Sequence, residues 1–520
     1  MADVRNVSKN VPKWMHIVFR RRMFVILTLL AQLVLLFFII FNTSKTFTII
    51  NTLLTAISIV VSFLILNRRE KPDFKIVWVF LILLFPLFGG AMYLFFYLIS
   101  DSKSLRQRIE SCKNYVRPWF KYKIQRDDSI PDIAQIRYIE DYAGYPVYLH
   151  SKTNYYSDIR DFQKDLLEDL RKAEKYIFME FFILRPGKML NPILAIMEEK
   201  AKAGLDVRLS YDDMGCLLSL PTHFDKYLEK RGIKCTKFSP FRPILSSQQN
   251  NRDHRKIVSI DGKIAYTGGM NLADEYINAI ERFGYWKDSA IRVEGDAAWS
   301  LTLIFLSLWN IRKKKDKREK DDIAAFYPES AYREYANTGD GFVQPYADSP
   351  LDQDNVGEHV YLHIINSAQN YLYINTPYLV VDYNIVSTLT LAAKSGVDVK
   401  IITPYRWDKW FVRIVSRSYY RQLIRAGVEV YEYKPGFNHS KTFVSDDKVA
   451  TVGTVNLDYR SLYHHFECGV VLFKNSSVAA VKKDFLENLA VCKKIEEADC
   501  QRNVAQRLFQ DLLRIFAPLM

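Results

Sequence analysis

The strongest constraint on this chain of 520 residues is that its second half repeats its first. Tyr176–Leu184 (YIFMEFFIL) is echoed by Tyr371–Leu379 (YLYINTPYL). KAGLDVRLSYD from position 202 is echoed by KSGVDVKIITP from 394, and KRGIKCTKFSP from 230 by RAGVEVYEYKP from 425. A spacing that stays near 195 residues means one folding unit built twice. Within each copy, apolar runs rich in β-branched and aromatic residues alternate with amphipathic segments that end at Gly. That pattern predicts buried strands and Gly-capped helices in α/β layers. The expected fold class is α/β, with two repeated α/β/α domains over 132–322 and 341–520 related by a pseudo-twofold axis. Arg312–Asp322 (RKKKDKREKDD) closes the first copy as a solvated extension.

Charge separates these copies from what precedes them. The whole chain carries +14, but residues 1–126 hold 19 Lys and Arg against 5 Asp and Glu, so 53 of each sign remain in 127–520. The excess sits beside apolar stretches at 23–41, 47–66 and 76–99, each near the length that crosses a bilayer. Residues 1–126 therefore read as a membrane anchor region, with transmembrane segments at 23–41 and 47–66. Arg20, Arg21 and Arg22 before the first span, and Arg68, Arg69, Lys71 and Lys75 after the second, place both flanks in the cytoplasm. The third stretch is followed by eight further cations, so a full crossing would put them outside. Pro86, Gly89 and Gly90 within it predict a broken, re-entrant hairpin instead. Anchors and an electrically balanced remainder argue against a nucleic-acid partner. The six cysteines show no metal-ligand or disulfide spacing, and no metal or cofactor is expected.

Each copy ends in the same polar pattern. The first is His254, Lys256, Asp261, Gly268, Gly269 and Asn271; the second is His439, Lys441, Asp446, Gly453, Thr454 and Asn456. On a strand, His and Lys two residues apart share a face. Two such faces brought together supply two imidazoles and two ammonium groups around one pocket, which suits a phosphodiester. One imidazole can attack phosphorus while the other moves the proton of the leaving or entering alcohol. Lys256 and Lys441, with Asn271, Asn456 and Thr454, are candidates to bind the phosphoryl oxygens. Asp261 and Asp446 belong to the motifs but read as holders of the adjoining turns. Asp288 and Glu467, on the strand beyond each motif, are candidates to orient the imidazoles.

HxKxxxxD used twice resembles the signature of the phospholipase D superfamily. The wider stretches NRREKPDFKIVWVFLILLFPLFGG, NNRDHRKIVSIDGKIAYTGGMN and PGFNHSKTFVSDDKVATVGTVNLDYRS resemble bacterial cardiolipin synthases over nearly the whole chain. Thr454 and Val455 stand where Ser-Ala is commoner in that family. The resemblance implies a phosphatidyltransferase of the bacterial cell membrane, multi-pass, with its catalytic domains on the cytoplasmic side. It implies joining two phosphatidylglycerol molecules into cardiolipin with release of glycerol, through a phosphohistidine on His254, with His439 as general acid and base. The alternatives are hydrolysis to phosphatidate, or transfer with a different donor or acceptor. Anionic membrane lipids are the expected partners, and a homo-oligomer is compatible with the sequence.

Three further features follow from pattern. Glu180, Asp212 and Tyr378 fall at the ends of expected strands, where α/β pockets form. YRWDKWFVR at 405–413 aligns Trp407, Trp410, Phe411 and Ile414 on one helical face, for which core packing is the expectation and a lipid-facing mouth the alternative. Val504, Leu508, Leu512, Ile515 and Phe516 form a helical stripe near the C-terminus, expected to dock on the domain, with resting on the membrane as the alternative.

Overall fold

The computed structural model describes residues 29–34, 37, 45–68, 71–98, 102–121, 133–240, 250–312, 321–328, 340–352 and 354–520. Most of the expected span 23–41, the cations before it and most of 312–322 lie outside the described residues. By contact the chain divides into two units. One comprises 1–104, 241–251 and 514–520; the other comprises 105–240 and 252–513.

In the first unit, α1 (Lys45–Leu66) is the one helix among the described residues long and apolar enough to cross a membrane. Its outer surface is bare hydrocarbon: Leu53, Ile57, Val60, Phe63 and Leu64 are exposed. The small Ser58 and Ser62, with Ile65, are buried. The expected break in the third apolar stretch is present. α2 (Pro72–Leu84) ends at Phe85, and α3 (Pro86–Leu98) begins at the proline and folds back against α2. Gly89 permits this reversal, because a Cβ there would collide with the carbonyl of Leu81. A break in an apolar helix frees backbone N–H groups that hydrocarbon cannot satisfy. Here the side chain of the buried Gln32 accepts from the amides of Leu87 (3.0 Å) and Phe88 (3.2 Å).

The second unit contains two mixed sheets. The strands of the first are β1 (Ser151–Tyr156), β2 (Tyr176–Phe181), β3 (Asp206–Asp212), β4 (Lys234–Phe238), β6 (Ile257–Ile260), β7 (Ile264–Gly268) and β9 (Ala290–Gly295); the short β5 (Arg252–Asp253) and β8 (Tyr285–Lys287) stand apart from it. Their order is β1-β9-β7-β6-β2-β3-β4, with only β2-β3-β4 parallel. The second sheet contains β10 (Phe342–Asp348), β11 (Tyr371–Asn375), β13 (Asp398–Pro404), β14 (Glu429–Tyr433), β16 (Thr442–Ser445), β17 (Val449–Gly453), β19 (His465–Phe473) and β20 (Cys492–Ile495). It runs β10-β19-β17-β16-β11-β13-β14-β20, with only β11-β13-β14 parallel. Seven strands thus share one order and one set of directions. Two-residue strands β12 (Leu379–Val380) and β18 (Leu457–Asp458) pair with each other, and β15 (Gly436–Asn438) pairs with β8.

Helix α4 (Asp296–Trp309) shows how the core is closed. From Ala297 to Trp309 every residue is buried, as expected of a helix apolar on all sides. It lies against β6, β7 and β9 of the first sheet and β10 of the second, so no side is left to water. None of the six cysteines is in a disulfide.

Helix α5 (Trp410–Arg425) corrects one expectation. Its buried face is Val412, Val415, Ser416, Tyr419, Tyr420 and Leu423. Trp407 and Trp410 are exposed rather than in the core, because the helix starts only at Trp410 and its apolar stripe is set by the residues that follow.

Candidate active site

The two HxK segments lie outside their own sheets, each bound to the other half. β5 pairs in parallel with the start of β19, aligning Arg252 with His465 and Asp253 with Phe466. β15 pairs in parallel with β8, aligning Phe437 with Trp286 and Asn438 with Lys287. Each ladder continues into the histidine itself. The amide of His254 donates to the carbonyl of Phe466 (3.0 Å), and that of His439 to the carbonyl of Lys287 (2.7 Å).

The residue after each of those carbonyls is the expected orienting carboxylate, and it reaches the histidine of the opposite half. His254 Nδ1 lies 2.9 and 3.0 Å from the two oxygens of Glu467. His439 Nδ1 lies 2.6 Å from Asp288 Oδ2. With Nδ1–H donating to a carboxylate, the Nε2 of each ring keeps its lone pair. All four side chains are buried.

The lysines fold back on their own strands. Lys256 Nζ donates to the carbonyl of His254 at 2.6 Å, and Lys441 Nζ touches both the carbonyl and the ring of His439. Crowding two ammonium groups and two imidazoles away from water penalises every positive charge. Burial, despite the nearby Glu467, pulls Lys256 down to about 8, and burial together with Lys256 pulls Lys441 down to about 7. Burial and Lys441 lower His439 to about 4. Burial, Lys256 and Lys441 hold His254 well below the usual imidazole value. Burial opposes ionisation of Asp288, yet His439 and Lys441 keep its carboxyl below the ordinary range. Each positive charge is thus held less firmly than in water, and a phosphodiester anion beside them would offset that penalty.

The supporting residues divide. Asp261 and Asp446 occupy the left-handed backbone region at φ 53° and 55°. Their carboxylates accept from the amides of Glu174, Lys175 and Tyr176, and of Gln369, Asn370 and Tyr371, at 2.7–2.9 Å. They hold the entry to β2 and β11, and their carboxylates are spent on backbone amides. Asn271 is likewise committed, accepting from Ile183 N (2.9 Å) and donating to Tyr276 OH (2.7 Å). The Thr454 hydroxyl donates to Glu467 and accepts from the amide of Cys468 (3.0 Å). It buttresses a carboxylate instead of facing a phosphoryl group. Asn456 differs, since its Oδ1 is buried without a hydrogen-bond partner.

Glu180 and Asp212 act beside the pocket. Glu180 accepts from the buried Arg255 (3.0 Å), and Asp212 accepts from the amides of Met214, Gly215 and Asp253, which fixes β5 just before His254. Tyr378 OH donates to Asp408 Oδ2 (2.7 Å).

The equivalent positions are not identical. Gly269 stands where the second half has Thr454, and a Cβ there would collide with Asp288 and crowd Lys441. His439 is ringed by Trp286, Tyr276 and Phe437 at 5.3–5.7 Å. His254 meets Phe182 at 5.0 Å and His465 at 5.4 Å. His465, the counterpart of Trp286 two residues before a carboxylate, escaped the sequence reading. Its Nδ1 has no hydrogen-bond partner and lies 3.7 Å from Glu467. The HxE spacing on a period-two strand is the signal that places it on the face of Glu467. Ligating atoms of His254, His465 and Glu467 lie within 4.8 Å of one another, a set that would suit a metal ion, although His254 Nδ1 is already engaged by Glu467.

The fold is shared with the crystal structure of a phosphatidylserine synthase from Haemophilus influenzae (TM-score 0.53, 15% identity, 71% of this chain and 93% of that one). Residues 361–489 match the model of the cardiolipin synthase, phospholipase D-like domain, and residues 56–96 match the phospholipase D-nuclease N-terminal model. A cardiolipin synthase of Geobacillus sp. (strain WCH70) is 33% identical, covering 91% of this chain and 94% of its own. Cardiolipin synthase 2 of Staphylococcus epidermidis is 34% identical over 70% of this chain and 74% of its own. An uncharacterized protein of Streptococcus mutans is 40% identical over 88% of this chain and 98% of its own. The folded catalytic unit is of the phospholipase D type. The chain belongs to the cardiolipin synthase family.

If the crossed carboxylates set the imidazoles, Glu467→Gln and Asp288→Asn each lower kcat by about 10²–10⁴-fold in a detergent assay, with the melting temperature little changed. The lysines give a second expectation. As pH rises through about 7 and then 8, Lys441 and Lys256 lose their protons in the empty site, so kcat/KM for an anionic phospholipid falls. Lys441→Arg, whose guanidinium stays charged, should shift that fall to higher pH; an unchanged pH profile would refute it.

Proposed function

We propose that this protein transfers the phosphatidyl group of one phosphatidylglycerol to the terminal hydroxyl of another, giving cardiolipin and glycerol. The observation that carries the reading is the crossed arrangement: two imidazoles, each oriented by a carboxylate of the opposite half, beside two lysines. Such a site is built for two successive displacements at one phosphorus. In the first, with the bound phosphodiester anion favouring a proton on His439 Nε2, His254 Nε2 attacks phosphorus, the bond to the headgroup glycerol breaks, and His439 gives that proton to the alkoxide. In the second, His439 takes the proton of the acceptor hydroxyl, whose oxygen forms the new P–O bond as the N–P bond breaks. Lys256, Lys441 and the open side chain of Asn456 stabilise the phosphoryl oxygens. Glu467, buttressed by Thr454, supports the choice of His254 as nucleophile. The matching strand order of the two sheets supports a duplicated domain with a pseudo-twofold axis, whose copies span 132–322 and 341–520.

The test is labelled phosphatidylglycerol given alone to detergent-purified protein. Cardiolipin and glycerol are expected. Phosphatidate alone would mean that water, not a lipid, meets the intermediate, and cardiolipin formed only with a cytidine-activated lipid would mean another donor. His254→Ala should abolish the acid-labile phosphoenzyme; trapping it on His439 would reverse the two roles.

For the membrane region, the helix break at Phe85 and Pro86 supports a re-entrant hairpin with both flanks in the cytoplasm, after spans at 23–41 and 47–66. Lys103→Cys should therefore resist an impermeant thiol reagent in intact cells. Labelling from outside would replace the hairpin with a full crossing.

A further inference from the structure

Helix α6 (Val504–Ile515) leaves an apolar stripe open to solvent. None of its residues is buried. Val504, Leu508 and Leu512, one turn apart along a single stripe, are 76%, 65% and 45% exposed. Gln506, Arg507, Gln510, Asp511 and Arg514 fall on the other side of the helix. The helix is held by its polar flank and one edge. Gln510 Nε2 donates to the carbonyl of Ile414 (2.8 Å), and Phe509 stacks on Trp410 with centroids 6.5 Å apart. A helix that docks on a protein through its apolar stripe has the opposite arrangement, so the expectation of plain docking fails here.

The stripe does not stand alone. Trp410, beside Phe509, is 50% exposed, Trp407 is 46% exposed and Tyr405 is 43% exposed. Between and around these rings lie the exposed cations Arg406 and Lys409, and on α6 Arg507, each within 4.0 Å of a carboxylate of Glu281, Asp408 or Asp511. Indole rings with an aliphatic stripe and a rim of Lys and Arg match the interface of a bilayer with anionic headgroups. Past the end of α6, Phe516 meets Phe80 of α2 edge to face at 6.0 Å, a contact within the first unit. We propose that α6, with Trp407 and Trp410, is a docking surface of the catalytic unit for the anionic lipid bilayer. The surface also adjoins the site, because Trp407 and Lys409 line a small cleft with Tyr378 and Phe437, and Phe437 lies against His439 at 5.7 Å.

The experiment uses the full chain, free of its six native cysteines, reconstituted in phosphatidylglycerol vesicles. An environment-sensitive fluorophore on Leu508→Cys or Leu512→Cys should emit as in hydrocarbon and be quenched by brominated lipid. The same probe on Arg507→Cys should stay in water. Leu508→Glu combined with Leu512→Glu should lower turnover on vesicles about tenfold or more while leaving turnover in mixed micelles unchanged. A fully aqueous probe at 508, or efficient 508-to-508 cross-linking between two molecules, would overturn the proposal, the latter in favour of a second copy on this face. The fluorescence needs no turnover, so it stands whatever reaction the site performs.

Discussion

The interaction on which the catalytic unit depends is the exchange of carboxylates between its halves. A histidine with no partner for Nδ1 has no fixed tautomer and no fixed ring plane. Here the partner is supplied from the opposite half: Glu467 for His254 and Asp288 for His439. The same exchange operates in the backbone, where each HxK strand hydrogen-bonds to the strand that bears the opposite carboxylate. Neither half contains a complete pair. A displacement of one sheet relative to the other would remove the orientation of both imidazoles at once, so catalysis requires the two sheets to remain one rigid body.

Much of this was legible in the residues. The duplication, the strand positions and the two motifs follow from spacing alone, and the helix break follows from Pro86 and Gly89. Asp288 and Glu467 were legible as orienting groups, yet which histidine each serves was not. Strand periodicity fixes a face within one sheet and is silent about how two sheets confront each other. Thr454 and Asn271 misled for a related reason. Their positions match in the repeat, but a hydroxyl or amide takes whatever unmet hydrogen-bonding group lies nearest, and here those are Glu467 and the amide of Ile183. His465 was passed over because its counterpart in the first half, Trp286, has no polar role to copy.

The halves have also ceased to be interchangeable. The space left by Gly269 is filled by Asp288 and Lys441, whereas Thr454 fills its own and binds Glu467. One imidazole is caged by Trp286, Tyr276 and Phe437, while the other shares its surroundings with a third imidazole. A symmetric pair would have no reason to divide attack from proton transfer. These differences, confined to a few side chains on a repeated framework, supply one.

The lowered basicity of Lys256 and Lys441 couples the site to the chemistry of the lipid surface. A phosphodiester that enters draws both lysines toward their charged forms, so binding takes up protons and product departure returns them. The water film over an anionic leaflet at about −30 to −50 mV is more acidic than the bulk by roughly half a unit or more. Burial that pulls Lys441 down to about 7 would leave its charge responsive to the acidity of such a film. The richer such a leaflet is in anionic lipid, the larger the fraction of a site facing it that would be protonated.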